Sequence, residues 1–477
     1  MTPDLIALAL LLLGLLLVIA KIVRSRSGLL CRLFLPASII AGAVALLLGD
    51  EVLGRIVAAT AGEDAALADG LFGEEILEIW GTLPGLLISV VFATLFLGHR
   101  IPQAKEVWHR GGPQLSLGIT MGAGQYVVGI LLCVLLLTPL TGINPMAGAL
   151  IEIGFEGGHG TAAGLADTFV ELGFPEGADL AVGMATIGIV SGVVIGVALI
   201  NWGVRRGRTQ LIDQAERPIE EERGIFALKH REPAAMLTVN PGSIEPLALH
   251  FGLVAAAVLV GVVLLEGLQA LEAATWGQTG VEVFAFVPLF PLAMLGGVVV
   301  QILIDRFDRY AVVDRGMMLR IQGLALDLLI VAALATLSLQ VIGVFIVPFL
   351  ALGVAGVLWN VTAFLVLAPR MIPTFAFERG ITDLGQSMGV TATGLLLLRV
   401  VDPENTSPAL ESFGYKQLGF EPFLGGGLIT GLSLPLIAQL GPLAFAGAMM
   451  VLLVAALALG LGYFGRKGEV IGEAPVS

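Results

Sequence analysis

The sequence predicts an all-α membrane protein of about eleven transmembrane helices, arranged as two inverted repeats that each carry a re-entrant glycine-rich hairpin. Three observations predict it. Of 477 residues, 57% are hydrophobic and 13% charged, whereas soluble domains carry roughly a quarter charged residues. Apolar runs long enough to cross hydrocarbon as helices recur along the chain. Two glycine-rich segments, one in each half, interrupt that pattern. The runs are continuous and do not alternate polar with apolar residues, so they read as helices and not as barrel strands. The 63 glycines suit a membrane bundle, where small residues let helices approach closely. Cys31 and Cys133 lie beside or within apolar runs and read as packing residues, with no disulfide framework or metal spacing. A net charge of −13 speaks against nucleic acid as a partner.

The first half, residues 1–203, places spans at 4–23, 33–49, 80–98, 115–139 and 178–203. The first apolar run has its positive charges after it, so it reads as a retained span and not as a cleaved signal peptide. The second half, 245–465, places spans at 246–269, 283–303, 318–341, 344–368, 421–440 and 443–464. Basic residues collect on the cytoplasmic side of a membrane. Lys21, Arg24, Arg26 and Arg32 follow the first span, and Arg100, Lys105 and Arg110 the third. Arg205, Arg206 and Arg208 follow the fifth, while Arg306, Arg309, Arg315 and Arg320 lie between the seventh and eighth. Asp50, Glu51, Glu63, Asp64, Glu74 and Glu75 crowd the other face. The expectation is a multi-pass protein of the cell (inner) membrane, N-terminus outside and C-terminus cytoplasmic. Residues 204–244 read as a cytoplasmic linker, with a regulatory site as the alternative, and 466–477 as a cytoplasmic tail.

Two segments do not fit as simple spans. Residues 144–173 begin apolar but are broken by Glu152, Glu156, Gly157, Gly158, His159, Gly160 and Thr161. The charges place both ends of this segment outside, so it should dip in and return. Residues 373–399 behave the same way from the opposite face, with Arg370 and Arg379 at their cytoplasmic start and Lys416 after their return. Their centre carries Asp383, Gly385, Gln386, Ser387, Gly389, Thr391, Thr393 and Gly394. Irregular backbone at membrane depth is tolerated only inside protein or beside a wet cavity. Paired interrupted segments in two inverted halves point to a transporter's binding site.

At these hairpins the chain resembles the sodium/glutamate symporter family. Gly157-Gly158-His159-Gly160-Thr161 looks like that family's Ser-Gly-Gly-His-Gly-Thr signature, and the spacing of Gly385, Gly389, Thr391 and Thr393 is similar to its second hairpin. Weaker agreement lies in Phe92-Ala93-Thr94, in Arg110-Gly111-Gly112, and in Gln125 with Gly129. The resemblance implies sodium-coupled uptake of an acidic amino acid by a homodimer, with no cofactor beyond Na+ as coupling ion. It also implies that Gly157, Gly158, His159, Gly160, Thr161, Gly385, Gly389, Thr391 and Thr393 line the substrate and ion sites. The sequence departs from the family's pattern at Glu156, where the family has serine, at Ala392 (proline) and at Gly394 (alanine). Its closing stretch, Phe423 to Phe464, exceeds the family's single last helix.

Each candidate has a bland competitor. The glycines offer bare N–H and carbonyl groups to an anion and to Na+, or serve helix packing alone. Thr161, Ser387, Thr391 and Thr393 supply hard oxygens, or bond back to their own helix. His159 senses protons or contacts substrate, or is a satisfied buried histidine. Glu156 and Asp383 are the cation-coupling candidates and Asp327 a weaker third, because carboxylates at membrane depth are costly. Arg399 clamps a substrate carboxylate or snorkels to the interface. Gln125 and Asn360 read as interhelical hydrogen-bonding groups, and Trp80, Trp202 and Trp276 as interfacial aromatics. The rival functions are cation/proton antiport, an ion channel and an intramembrane enzyme. The last lacks both a G-x-S-x-G elbow and an H-E-x-x-H helix.

Overall fold

The computed structural model describes residues 2–32, 35–99, 105, 107–209, 225, 231, 233–277, 283–402 and 406–467. Arg100, most of the expected linker and the tail beyond residue 467 lie outside the described residues. No strand occurs among the described residues. Eleven helices are long and apolar enough to cross a membrane. They are α1 (Pro3–Arg26), α2 (Ala37–Ala61), α3 (Glu74–Ala93) and α4 (Trp108–Thr141). After the short α5 (Pro145–Phe155) and α6 (Gly158–Gly164) comes the fifth, α7 (Glu176–Arg205). The second half adds α8 (Pro246–Ala274), α9 (Leu289–Phe307), α10 (Arg315–Ala335), α11 (Ile346–Met371) and α12 (Ala376–Val401). Two shorter helices, α13 (Ala409–Phe420) and α14 (Leu428–Leu440), precede the last span, α15 (Pro442–Phe464).

The span expected at 421–440 is therefore a 13-residue helix, α14. Pro422 and the triplet Gly425–Gly427 stop any longer helix, with Gly425 and Gly426 at φ +69° and +103°. The eleventh place goes instead to α12, which has a span's length but is broken inside.

Helix starts follow local chemistry. Thr2 caps α1 and Asp314 caps α10, each accepting from a first-turn N–H. Asn144 caps the entry to α5 by accepting from Met146 N at 2.9 Å, with Pro145 as the first helical residue. Both α4 and α11 pass through a five-residue π segment near their ends, at Cys133–Leu137 and Ala363–Leu367.

The chain divides into two compact units. The first holds α1–α3, α8–α10 and the stretch Ala163–Asp167. Its core gathers Leu13, Ile40, Trp80 and Val331, and a second cluster joins Ala93, Val254 and Met318. Trp80 is fully buried and donates to the Ala9 carbonyl at 3.0 Å, so it is a core residue and not an interfacial one. Trp202 and Trp276 are exposed, as a belt requires. Asp327 is exposed on α10 and belongs to this unit, whereas Glu156 and Asp383 belong to the other.

The second unit holds α4, α5, Gly158–Ala162, α7 and α11–α15. Each half of the sequence thus sends three spans to the first unit, and sends its glycine-rich segment and flanking spans to the second. On α7 a methyl group at Gly188 would overlap the Met388 carbonyl oxygen of α12, one at Gly192 would fall 3.1 Å from Met388 Cβ and one at Gly196 would overlap Leu397 Cδ1, the small-residue packing of membrane helices. Cys133, in this unit, is buried and free, and so is Cys31 in the first.

Candidate substrate and cation site

The site is built around two chain breaks within the second unit. Helix α12 runs from Ala376 to Met388, loses helical geometry at Gly389 (φ −152°, ψ 41°) and Val390 (φ 58°, ψ 177°), and resumes to Val401. The chain folds back there. A methyl group on Gly385 would fall 2.8 Å from Gly394 Cα, and one on Gly394 would fall 2.6 Å from the Thr382 carbonyl oxygen. In an unbroken helix, residues nine apart would be about 13 Å distant. Glycine is needed at both positions because the two arms touch backbone to backbone.

A break of this kind frees carbonyls that a helix would satisfy. The Ser387 carbonyl accepts from Gln125 Nε2 of α4 and from Asn360 Nδ2 of α11, each at 2.8 Å. Gln125 also donates to Asn360 Oδ1 at 3.2 Å. The two polar residues expected to bond between helices do so, and they hold the turn of α12 between them.

The other break follows α5. Glu156 ends the helix and Gly158 takes φ +70°, a conformation that favours glycine. A methyl group on Gly158 would come 2.5 Å from Val390 Cγ1, so the two tips meet at these residues. His159 is buried and pairs through Nε2 with Thr186 Oγ1 of α7 at 2.9 Å, while its Nδ1 has no partner. Thr161 is fully buried with an unpartnered hydroxyl.

Charged groups converge beside the tips. Asp383 and Lys416 are both fully buried and form an ion pair, Nζ to Oδ1, at 3.4 Å. Lys416 also donates to Gln386 Oε1, and its ammonium lies 4.1 Å from the centre of the Phe420 ring. Gln114 Nε2 of α4 donates to Asp383 Oδ1 at 3.3 Å and to the Arg379 carbonyl at 3.2 Å. Arg379 in turn donates from Nε to Gln114 Oε1 at 3.3 Å. Glu156 is 2% exposed, and neither of its carboxylate oxygens completes a hydrogen bond. Asp383 Oδ2 and Ser387 Oγ are likewise unpartnered. Glu152, four residues earlier, is saturated: it accepts from Tyr126 Oη, from Thr430 Oγ1 at 2.8 Å and from Gly425 N at 3.0 Å.

The structure brings Glu156, Gly157, Gly158, His159, Gly160 and Thr161 to one tip, and Asp383, Gly385, Ser387 and Gly389 to the other. Thr393 packs with its hydroxyl 2.5 Å from where a Gly389 methyl would lie. Thr391 turns the other way, donating to Glu421 Oε1 at 3.0 Å and accepting from Gln417 Nε2 at 2.7 Å. Arg399 is exposed on the outgoing arm. Among the described residues no three His, Cys, Asp or Glu side chains form a metal-binding group. A cation here would be held by a mixed set of carboxylate, hydroxyl and carbonyl oxygens.

Arg379, read at the cytoplasmic start of the second segment, and Lys416, read after its return, are buried in the unit, at 5% and 0% exposure. A charge count treats any basic residue between apolar runs as solvated. A finer signal was present for Lys416. Phe413, Lys416, Gln417 and Phe420 recur at helical spacing, which puts the lysine on the apolar face of α13. Glu152 and Gln386 were legible only as polar interruptions of the two glycine-rich segments, and Gln114 and Tyr126 carry no such signal, because each is a polar group beside or within a run read as apolar.

A family model described as the sodium/glutamate symporter matches residues 77–376. The match takes in α4, the first tip and α11, and it ends as α12 begins. No curated protein matches the chain.

Proposed function

We propose, for a chain that belongs to the sodium/glutamate symporter family, an elevator mechanism in which the second unit carries glutamate or a related small carboxylate across the membrane together with Na+. Family membership makes the protein a membrane transporter and not an enzyme, with Na+ as its coupling ion. The observation that carries the finer reading is the meeting of Gly158 and Val390 at two chain breaks, beside buried oxygens that have no protein partner. Breaks of this kind are re-entrant hairpins on this reading, entering from opposite faces of two inverted repeats. Residues 157–161 with Gly385 and Gly389 line the substrate site through their backbone. Glu156, Asp383 and Ser387 supply cation ligands, with Thr393 behind them and Thr391 engaged at the rim. His159 orients the first tip through Thr186. Arg399, exposed, serves the interface.

Backbone N–H groups at helix starts attract a carboxylate, and a bound cation lowers the cost of bringing that anion into a dry site, which couples the two. The first unit is the static scaffold and the surface through which two copies pair as a homodimer within the lipid. The orientation that the remaining loop charges favour is N-terminus outside and C-terminus cytoplasmic, in the cell (inner) membrane. Buried carboxylates at both tips also support a second reading, cation/proton antiport. Uptake of labelled glutamate into proteoliposomes decides between them. Uptake that rises with an inward Na+ gradient is the expected result; cation flux with no dependence on organic solute would replace symport by antiport.

A further inference from the structure

Lys416 lies on α13, beyond the residues that the family model matches. Its surroundings leave little freedom. A methyl group on Gly118 of α4 would fall 2.5 Å from Lys416 Cε, and one on Gly122, a turn later, would fall 3.6 Å from Glu156 Oε1. Both glycines also face the Phe420 ring. The ammonium stem and the Glu156 carboxylate therefore lie one above the other along the same face of α4. Lys416 spends its charge on Asp383 Oδ1, Gln386 and the Phe420 ring. Glu156 receives no hydrogen bond from it.

The charged groups that reach Glu156 or Asp383 are Lys416 from α13, Arg379 from α12 and Glu152 from α5. Counted as ionised, three carboxylates stand against two basic groups, a formal excess of one negative charge. Glu152 already accepts three hydrogen bonds, so the excess falls on Glu156. A buried carboxylate without a partner is costly, and burial is tolerated when a counter-charge or ligated ion offsets it. The unpartnered atoms, Glu156 Oε1 and Oε2, Asp383 Oδ2 and Ser387 Oγ, are all hard oxygens, the ligand type that alkali cations take.

We propose that Lys416 is a tethered counter-ion that limits this cluster to one mobile monovalent cation, held by the Glu156 carboxylate with Asp383 Oδ2 and Ser387 Oγ. This rests on the cation-coupling part of the reading above and adds to it a number and a residue. Lys416 occupies one of the two positions that a pair of carboxylates would offer. Removing its ammonium opens the second; removing the Glu156 charge closes the first.

The test is equilibrium binding of radioactive Na+ to the purified full-length chain, with choline replacing Na+ at constant ionic strength. Glu156→Gln should lose one Na+ equivalent, or bind it about tenfold more weakly. Lys416→Met should gain one equivalent, whereas Lys416→Arg keeps the wild-type number. The double variant Lys416→Met/Asp383→Asn removes one charge of each sign and should return to the wild-type number; it also carries the test should Lys416→Met fail to fold. The shared chemistry of Na+ and H+ is separated by thermal stability in choline across neutral pH. A pH-dependent midpoint in the wild type that vanishes in Glu156→Gln identifies a proton as the cation. Wild-type Na+ binding and pH dependence in Glu156→Gln overturn the proposal, as does a Lys416→Met variant in which neither the Na+ number nor the pH dependence of the midpoint changes. Glutamate uptake by the wild type is measured in parallel. Its absence sinks the symport reading alone, and its presence beside unchanged cation binding in Glu156→Gln sinks the counter-ion alone.

Discussion

Val390 is a β-branched residue at φ 58°, ψ 177°, a conformation that costs about 1–3 kcal/mol and persists only where its surroundings enforce it. The surrounding contacts are visible: Gly158 packs against its side chain, with no room for a methyl group between them, and Gln125 with Asn360 pins the Ser387 carbonyl just before it. Gly158→Val should therefore abolish uptake while the protein still purifies as a single species, because the new side chain separates the tips without entering a helix interior. Gly389→Val should do the same through its clash with Thr393. Transport at wild-type rate in either variant would remove the tips from the site. Gln125→Leu and Asn360→Leu should each cost about 1–3 kcal/mol of stability, since each withdraws a donor from a buried carbonyl. The double variant should cost less than the sum, because the Gln125–Asn360 hydrogen bond is already lost in either single variant; strict additivity in thermal unfolding would contradict that. The glycines at both tips were legible in the sequence, because steric demand for a missing Cβ is a local property written as a spacing. The burial of Lys416 and Arg379 was missed because charge alone does not encode it.

Helix α5 is fastened to the loop before α14 by one residue, Glu152, which gathers a phenol, a hydroxyl and a backbone N–H from three places. Hydrogen bonds to a charged acceptor contribute about 1.5–3 kcal/mol each, and leaving donors unsatisfied adds to the loss. Glu152→Ala should lower the thermal midpoint more than Tyr126→Phe or Thr430→Val, each of which removes a single donor. Equal shifts in all three would mean that the loop is held by something else. The length of α14 was missed for a related reason. Hydropathy averages over a window, and the window at 421–440 is apolar enough to hide Pro422 and three consecutive glycines. Helix α12 has a span's length but is interrupted at Gly389 and Val390, and the polar residues of its first arm are what marked it in the sequence as a broken segment and not a simple span.

Across the whole molecule, the division by compactness cuts across the division by sequence. Each half contributes its first three spans to one unit and its broken segment to the other. An elevator requires the second unit to move as a body. Pairs of spin labels within that unit should keep their separation when Na+ and glutamate are added, while pairs bridging the two units should change theirs. Altered distances inside the unit together with constant ones between units would exclude the mechanism. Span number and the order of elements were readable from periodicity and charge. The grouping into two units was not, because it depends on which helix faces meet, and membrane helices that are apolar on every side reveal little about that.

The ion pair between Asp383 and Lys416 joins positions 33 residues apart, on either side of the fold-back of α12. Each member is harmful alone, since losing one partner strands the other as a buried charge, at a cost of about 3–5 kcal/mol. They must therefore be inherited together. Chimeras between this chain and other family members should function when the crossover lies before residue 383 or after residue 416. Crossovers between those positions should fail whenever the donor lacks the matching charge, however similar the exchanged segments are otherwise.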